Sequence, residues 1–224
     1  MFSDYAIWQY VHILLFVYWL GADLGVFFAA RYVARADLAL DERLRFLELL
    51  LKVDMGPRTA LILIIPVGFT LAGELGVVPF VDGWLPAIWL FCVAWLGLAW
   101  TLYLSPRGAA AATLQRVDRI VRQVVILLFL GLGIASLVGD GPIVAPWLAA
   151  KFVLFAGVVT IGLILRGVIR EWVAGFAALR KGEHLDAANT MITRAHHRAT
   201  RLAIALWVLV AATAFLGVTK PLLV

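Results

Sequence analysis

Cysteine and methionine are scarce in this sequence, and their scarcity excludes several kinds of site. Cys92 is the one cysteine in 224 residues, so the chain can form neither an intramolecular disulfide nor a cysteine-based metal cluster. The three methionines, Met1, Met55 and Met191, do not form the kind of methionine cluster that a copper importer would use. Redox chemistry in this protein would therefore need a cofactor or a different type of ligand.

Charged side chains are also few, at 15% of the residues, whereas 64% of the residues are hydrophobic. A water-soluble domain of this length does not need so much apolar surface, so the composition indicates a protein of the lipid bilayer. The formal net charge is +5, but the basic residues fall between hydrophobic segments, which favours a role in membrane topology over nucleic-acid binding. The sequence also lacks the glycine-rich phosphate loops, the zinc-protease motif and the nucleophile elbow of common enzymes.

Six segments approach the roughly 20 apolar residues that a helix needs to cross the hydrocarbon core of a membrane. They lie at about 5–31, 58–79, 84–104, 120–139, 144–168 and 201–221. The links after the first, third and fifth segments are rich in Lys and Arg, whereas the alternate links, GELGVVPFVDGW and GDGPIVAP, contain neither. Because positive residues stay on the cytoplasmic side, the pattern predicts an all-α polytopic bundle of six transmembrane helices with both termini outside, and it fits a bacterial inner membrane best.

Two of the cytoplasmic links have helical patterns of their own. Residues 37–54 carry apolar side chains at three- to four-residue spacing, which predicts a short amphipathic helix at the membrane interface with Asp37 as its N-cap. Residues 169–200 have a helical pattern on both sides of Lys181-Gly182. No low-complexity linker or second soluble domain interrupts the chain, so all 224 residues are expected to form a single transmembrane bundle domain.

The first helix carries three residues that an apolar membrane helix does not need. Trp19 follows His12 by seven residues and Asp23 follows it by eleven, which returns all three to within about 20° of one face of the helix. A charge in the middle of a bundle costs several kcal/mol unless it is paired, neutralised or hydrated, so this face is predicted to turn into the protein interior. Gly21 and Gly25 lie close to the same region and are expected to let a backbone or a flat ligand approach.

Lys151 is predicted to lie near the depth of His12, one or two turns inside the membrane from the outer end of the fifth segment. Its ammonium group either extends outward to the surface or turns inward to a polar site. Glu74, in the outer half of the second segment, is a candidate partner for it.

Other polar and aromatic residues have simpler interpretations. At the cytoplasmic end, Asp54, Arg58 and Arg166 are expected to form a separate charge cluster with a structural role. Most aromatic residues near helix ends are expected in the interfacial belt: Trp84, Trp89, Trp100, Tyr103, Trp147 and Trp207. Trp19 lies away from the helix ends and is the exception.

A histidine in a dry bundle can act as a neutral hydrogen-bonding group, as a proton carrier or as a metal ligand. The structural use is the commoner one for a lone intramembrane histidine. His184, His196 and His197 fall on the cytoplasmic side and cannot bind the same cofactor as His12. A haem would therefore be held by His12 alone, or by His12 with an unusual second ligand such as Lys151.

The order of these residues resembles that of the HemJ-type protoporphyrinogen oxidases and the related CopD-like bundles of bacterial membranes. The resemblance lies in His12 and the following Trp19-Leu20-Gly21, in the proline of LILIIPVGFTLAGELG, in the run WLAAK that ends at Lys151, and in the closing GVTKP. The third and fourth segments are additional to the four-helix pattern of that family. In HemJ-type proteins, the first-helix histidine and the later-helix lysine are the functional pair, associated with haem b and with oxidation of a porphyrinogen. The resemblance thus implies haem b at His12, with Lys151 as the second residue of the site.

Three functions follow as hypotheses. The first is a haem b-binding redox protein, either an oxidase or an electron-transfer subunit linked to quinone. Under this hypothesis His12 ligates the haem iron, and Trp19 and Gly21 adjoin the macrocycle. Lys151 and Asp23 are the candidate catalytic residues. The second is a non-catalytic membrane subunit or assembly factor whose cytoplasmic helices dock a partner protein. The third is a transporter for a small solute such as copper, with Asp23 and Glu74 as proton or cation sites.

Overall fold

The computed structural model describes residues 4–106, 108, 110–182 and 184–221. Seven α-helices account for almost all of them, and no β-strand occurs within these ranges. The helices are α1 (Asp4–Val33), α2 (Leu40–Val53), α3 (Met55–Glu74), α4 (Val81–Leu104), α5 (Ala111–Leu137), α6 (Pro146–Lys181) and α7 (Leu185–Thr219). The predicted all-α class is confirmed.

Six helical stretches are long and apolar enough to cross a membrane, as the hydropathy pattern predicts: α1, α2 together with α3, α4, α5, α6 and α7. Their outward faces carry large apolar side chains such as Leu90, Leu127 and Val218, which are 72%, 69% and 84% exposed. Apolar surface on this scale is stable against lipid rather than water. The chain is therefore a multi-pass membrane protein.

The bundle has two chemically different ends. Tyr5, near the start of α1, and Lys220, just after α7, line one cavity, so both termini lie at the same end, which we call the termini end. The other end, called the basic end, holds the Arg- and Lys-rich links. Arg43 of α2 connects α1 and α7 at the basic end, because its guanidinium donates hydrogen bonds to the Val33 carbonyl oxygen (3.0 Å) and to Asn189 Oδ1 (2.8 Å).

Helix neighbours follow the order α1, α3, α4, α5, α6 and α7, and α7 returns to meet α1. The contact between α7 and α1 is the smallest in this circuit. The main apolar core lies between the helices at mid-depth, where Trp19, Trp95 and Phe155 are among the largest buried side chains.

The helices extend further at the basic end than the apolar segments predict. Helix α5 begins at Ala111 rather than near residue 120, and α6 continues to Lys181. The predicted helical link at 169–200 consists of the ends of α6 and α7, and α6 is capped by Gly182 with a φ of 71°. The prediction of helix on both sides of Lys181-Gly182 is confirmed, but these ends are continuous with the spanning helices rather than a separate element.

The amphipathic helix exists as α2, although its predicted N-cap is wrong. The helix begins at Leu40, and Asp37 instead accepts two hydrogen bonds from the guanidinium of Arg35, at 3.1 and 2.6 Å. These bonds hold the pKa of the Asp37 carboxyl below its ordinary value. The apolar face of α2 packs against the rest of the chain through buried Leu47 and Leu50, so this face is not free to dock a partner.

Replacement of Gly133 by alanine is expected to destabilise the packing of α5 against α6. A Cβ at this position would lie 2.8 Å from the Ala149 carbonyl oxygen and 2.8 Å from Val153 Cγ2. Overpacking of this kind costs about 1–3 kcal/mol, so the unfolding midpoint in detergent should fall. Gly131→Ala is the matched control on the same helix, because its Cβ would meet nothing within 4 Å. Equal midpoints for the two variants would contradict the close approach of the helices.

Candidate functional site

A cavity of about 520 Å³ opens at the termini end, between α1, α3, α5, α6 and α7. Three of the residues singled out from the sequence line it together: His12, Trp19 and Lys151. We call it the first cavity. Its size falls in the range of small-molecule and cofactor sites.

His12 lies against α3 at Gly68. A Cβ at Gly68 would be 3.4 Å from His12 Cε1 and 3.8 Å from His12 Nδ1, so the glycine leaves the imidazole room on this side. The Nδ1 atom is buried and has no hydrogen-bond partner among the described residues. Since a buried polar atom without a partner costs about 1–3 kcal/mol, a ligand group that bonded to this nitrogen would remove that cost.

Aromatic rings form the deep walls of the first cavity. Trp19 is only 4% exposed and meets Phe155 edge to face, with ring centroids 6.4 Å apart. Phe129 stacks on Phe152 with centroids 4.6 Å apart and lies 5.1 Å from Phe155. These walls suit a flat and largely apolar ligand.

Two lysines, Lys151 and Lys220, lie at the mouth of the first cavity. The Lys151 and Lys220 Nζ atoms lie 5.9 and 5.8 Å from the centroid of the Trp147 ring. Of the two orientations that the sequence leaves open, Lys151 takes the one towards the termini end, because its Nζ atom lies beside Gly217 near the end of α7, where a Cβ would be 2.8 Å from it. Neither ammonium group forms a salt bridge within the described part of the chain. The mouth is therefore positively charged and suited to carboxylate groups.

The predicted pairing of Glu74 with Lys151 is not found. Glu74 is exposed at the end of α3, does not line the first cavity, and forms no salt bridge with a described residue. Lys220 was not among the candidate site residues. The closing GVTKP carries it, but only the return of α7 to α6 brings it beside Trp147.

The face of α1 that carries His12, Trp19 and Asp23 turns to the interior as predicted, but these three residues line two different cavities. His12 and Trp19 line the first, whereas Asp23 lines a second and smaller cavity nearer the basic end. The close approach expected at Gly21 is not found, because this glycine is exposed and a Cβ there would meet nothing within 4 Å. At Gly25 the close neighbour is Val53, whose Cγ1 would lie 3.2 Å from a Cβ.

The second cavity measures about 80 Å³. Asp23, Asp54, His196 and Trp207 contribute its polar lining groups, with Thr200. Trp207, predicted to join the interfacial belt, instead faces inward and packs on Phe27 with centroids 5.1 Å apart.

A buried charge cluster that the sequence analysis does not predict joins three helices near the basic end. Asp118 of α5 is fully buried and accepts hydrogen bonds from Trp95 Nε1 of α4 and Arg122 Nε of α5, each at 3.1 Å. Arg166 of α6 forms a salt bridge with the same carboxylate. We call these four residues the Asp118 cluster. The expected cluster of Asp54, Arg58 and Arg166 forms only in part, because Asp54 pairs with Arg58 whereas the salt bridge of Arg166 is with Asp118.

The structure shows no group of three or more His, Cys, Asp or Glu side chains placed to hold a metal ion, as far as residues 4–106, 108, 110–182 and 184–221 are concerned. A metal at His12 would thus need most of its ligands from a cofactor. Compared with protein-family models, curated proteins and solved structures, the chain matches none.

Proposed function

We propose that this protein is an integral membrane redox protein of the bacterial inner membrane, and that it binds haem b in the first cavity with His12 as the iron ligand. The observation that carries the proposal is the His12 imidazole, which lines an aromatic cavity of about 520 Å³ and leaves its buried Nδ1 without a partner. Imidazole is the commonest metal ligand among protein side chains and a frequent axial ligand of haem.

The residues of the first cavity fit the different parts of this cofactor. Trp19, Phe129 and Phe152 line the cavity and would supply apolar aromatic surface to the flat macrocycle. Lys151 and Lys220 would pair with the two propionate carboxylates, because their ammonium groups have no salt-bridge partner among the described residues. When bound, haem b supplies one-electron chemistry at a potential that its ligand and its burial set.

Access from the lipid supports a reaction with a membrane-soluble partner. Ile13 of α1 and Val218 of α7 both line the first cavity, and they are 52% and 84% exposed. An apolar electron donor or acceptor can therefore reach the cavity between α1 and α7 without leaving the bilayer. A quinone has this chemistry and is the partner we propose; the resemblance to HemJ-type proteins favours a porphyrinogen oxidase as the other form of the same redox function.

The proposal includes an orientation in the membrane. The links at the basic end carry the Lys and Arg residues, so this end is placed in the cytoplasm and both termini outside. The first cavity then lies in the outer half of the bilayer, and the Lys151 and Lys220 groups lie close to the outer surface.

The absorption spectrum of the full-length protein tests the proposal. The protein is purified in detergent from cells that are supplied with haem precursors, and its spectrum is recorded oxidised and after reduction with dithionite. We expect a Soret band in stoichiometric amount and sharpened visible bands on reduction. A protein from such cells with no absorbance above its aromatic band would contradict haem binding.

A further inference from the structure

The second cavity surrounds Asp23 with polar groups that the haem proposal does not use. None of its lining residues also lines the first cavity. A buried water takes up roughly 30 Å³ and needs two to four polar partners, so a cavity of about 80 Å³ has room for a short row of waters.

Asp23 has no counter-ion among the described residues. Within the part of the chain that the structure describes, it forms no salt bridge, and the ionisable group that acts on it is another carboxylate, Asp54. Asp54 is itself paired with Arg58. The indoles of Trp19 and Trp207 approach the Asp23 carboxyl. The buried Nε1 atom of Trp207 forms no hydrogen bond with a described residue.

The opposite side of the second cavity belongs to α7 and leads to the basic end. His196 lines it with a buried Nδ1 atom that has no partner among the described residues, and Thr200 adds a hydroxyl one turn further along. The wall from α6 adds no free polar group, because Trp172 Nε1 already donates to the Ile192 carbonyl oxygen at 3.2 Å. Polar groups therefore lead from the basic end towards Asp23 along the α7 wall, through His196 and Thr200, while on the α2–α3 side the cavity is lined by Asp54, which is paired with Arg58.

We infer that the second cavity is a proton-exchange site, in which Asp23 holds a proton and exchanges it with the basic end through water and His196. An unpaired carboxylate inside a membrane bundle costs several kcal/mol, and taking up a proton removes that cost. The step transfers one proton between a water oxygen and a carboxyl oxygen of Asp23, and no electron moves. Asp23 lies ten residues before the end of α1 at Val33, or about 15 Å along the helix from it, so exchange of its proton with the basic end needs such a path.

Proton exchange at Asp23 can be coupled to electron transfer if the first cavity holds a redox cofactor. Trp19 lines the first cavity and its indole approaches Asp23, so a proton on Asp23 can offset the charge of an electron that enters the cavity. Proton exchange itself does not depend on the haem proposal, and each can fail without the other.

Infrared spectroscopy of the full-length protein in lipid tests the inference, because a protonated carboxyl has its own C=O stretching band, which shifts when H₂O is replaced by D₂O. At neutral pH the wild-type protein should show such a band, and Asp23→Asn should lose it. Glu171→Gln is the control, since it removes a salt-bridged carboxylate that lines neither cavity and should keep the band. His196→Gln should keep the band and slow its shift in D₂O by about a hundredfold, as expected when a proton-transfer group is removed.

Three results would overturn the inference. The first is a wild-type protein without the band, and the second is a band of equal intensity in Asp23→Asn. The third is a band that shifts in D₂O equally fast in the wild type and in His196→Gln, which would place the exchange path elsewhere. None of these readouts requires bound haem, so failure of the haem proposal is seen separately in the visible spectrum.

Discussion

Replacement of His12 by alanine is expected to abolish haem binding while the helical bundle stays folded. His12 is the one histidine among the described residues that line the first cavity, so its loss removes the proposed iron ligand. Mutation of groups that merely orient a metal ligand costs 10–100-fold in affinity, and loss of the ligand itself should cost at least about a hundredfold. The measurement is the haem content per chain, from the Soret absorbance of the purified proteins.

Controls separate loss of the ligand from loss of the fold. The His12 side chain lies at an existing cavity and its Nδ1 atom makes no hydrogen bond with a described residue, so His12→Ala should keep the wild-type helical content and elution volume. His197→Ala changes an exposed histidine and should keep its haem. In His12→Gly, added imidazole should restore the Soret band by occupying the vacated position. A His12→Ala protein with full haem content and an unchanged spectrum would show that the ligand is another residue.

The sequence predicts the helices well because the signals for them are local. A run of about 20 apolar residues is a property of a single segment, and so is the three- to four-residue spacing that predicts α2. The helix ends are less predictable, since hydropathy falls where the chain leaves the lipid although the hydrogen-bonded backbone continues. For this reason α5 begins at Ala111, in a stretch that hydropathy alone assigns to a link.

For the candidate sites, the sequence predicts which residues share a face of one helix, but not which helices pack around them. Helical periodicity correctly turns His12, Trp19 and Asp23 inward, but it does not show that Trp19 and Asp23 belong to different cavities. That division depends on where α6 and α7 pack. Lys220 shows the same limit, because it joins the first cavity only through the arrangement of helices that are far apart in the sequence.

The Asp118 cluster was missed for a related reason. The charge pattern assigns the arginines around Arg122 to the basic link after the third segment, and the fourth predicted segment begins at about residue 120, after Asp118. The signal that could have found the cluster is the four-residue spacing of Asp118 and Arg122, which places opposite charges on one helix face. Arg166 was correctly placed at the basic end, but its salt bridge is with Asp118 rather than with Asp54.

Replacement of Asp118 by asparagine is expected to destabilise the protein more than any single change at its surface. Asp118 is 0% exposed, Arg122 is 3% exposed, and the Arg166 side chain is 23% exposed. Asparagine keeps the shape of the side chain but removes its charge, which leaves two guanidinium groups without a carboxylate. Removal of one partner from a buried salt bridge costs about 3–5 kcal/mol, because the other charge remains buried and uncompensated. The unfolding midpoint in detergent should fall accordingly.

Two further variants show whether the cost comes from the orphaned cations. Glu171→Gln breaks the exposed pair of Glu171 and Arg198 and should leave the midpoint close to that of the wild type. Arg122→Met removes one of the two guanidinium groups, so its combination with Asp118→Asn should be less destabilising than the sum of the two single changes. Trp95 would keep its packing in all of these variants, while its Nε1 could still donate to the asparagine oxygen. Additive changes, or an Asp118→Asn midpoint equal to that of the wild type, would mean that the carboxylate does not hold α4, α5 and α6 together.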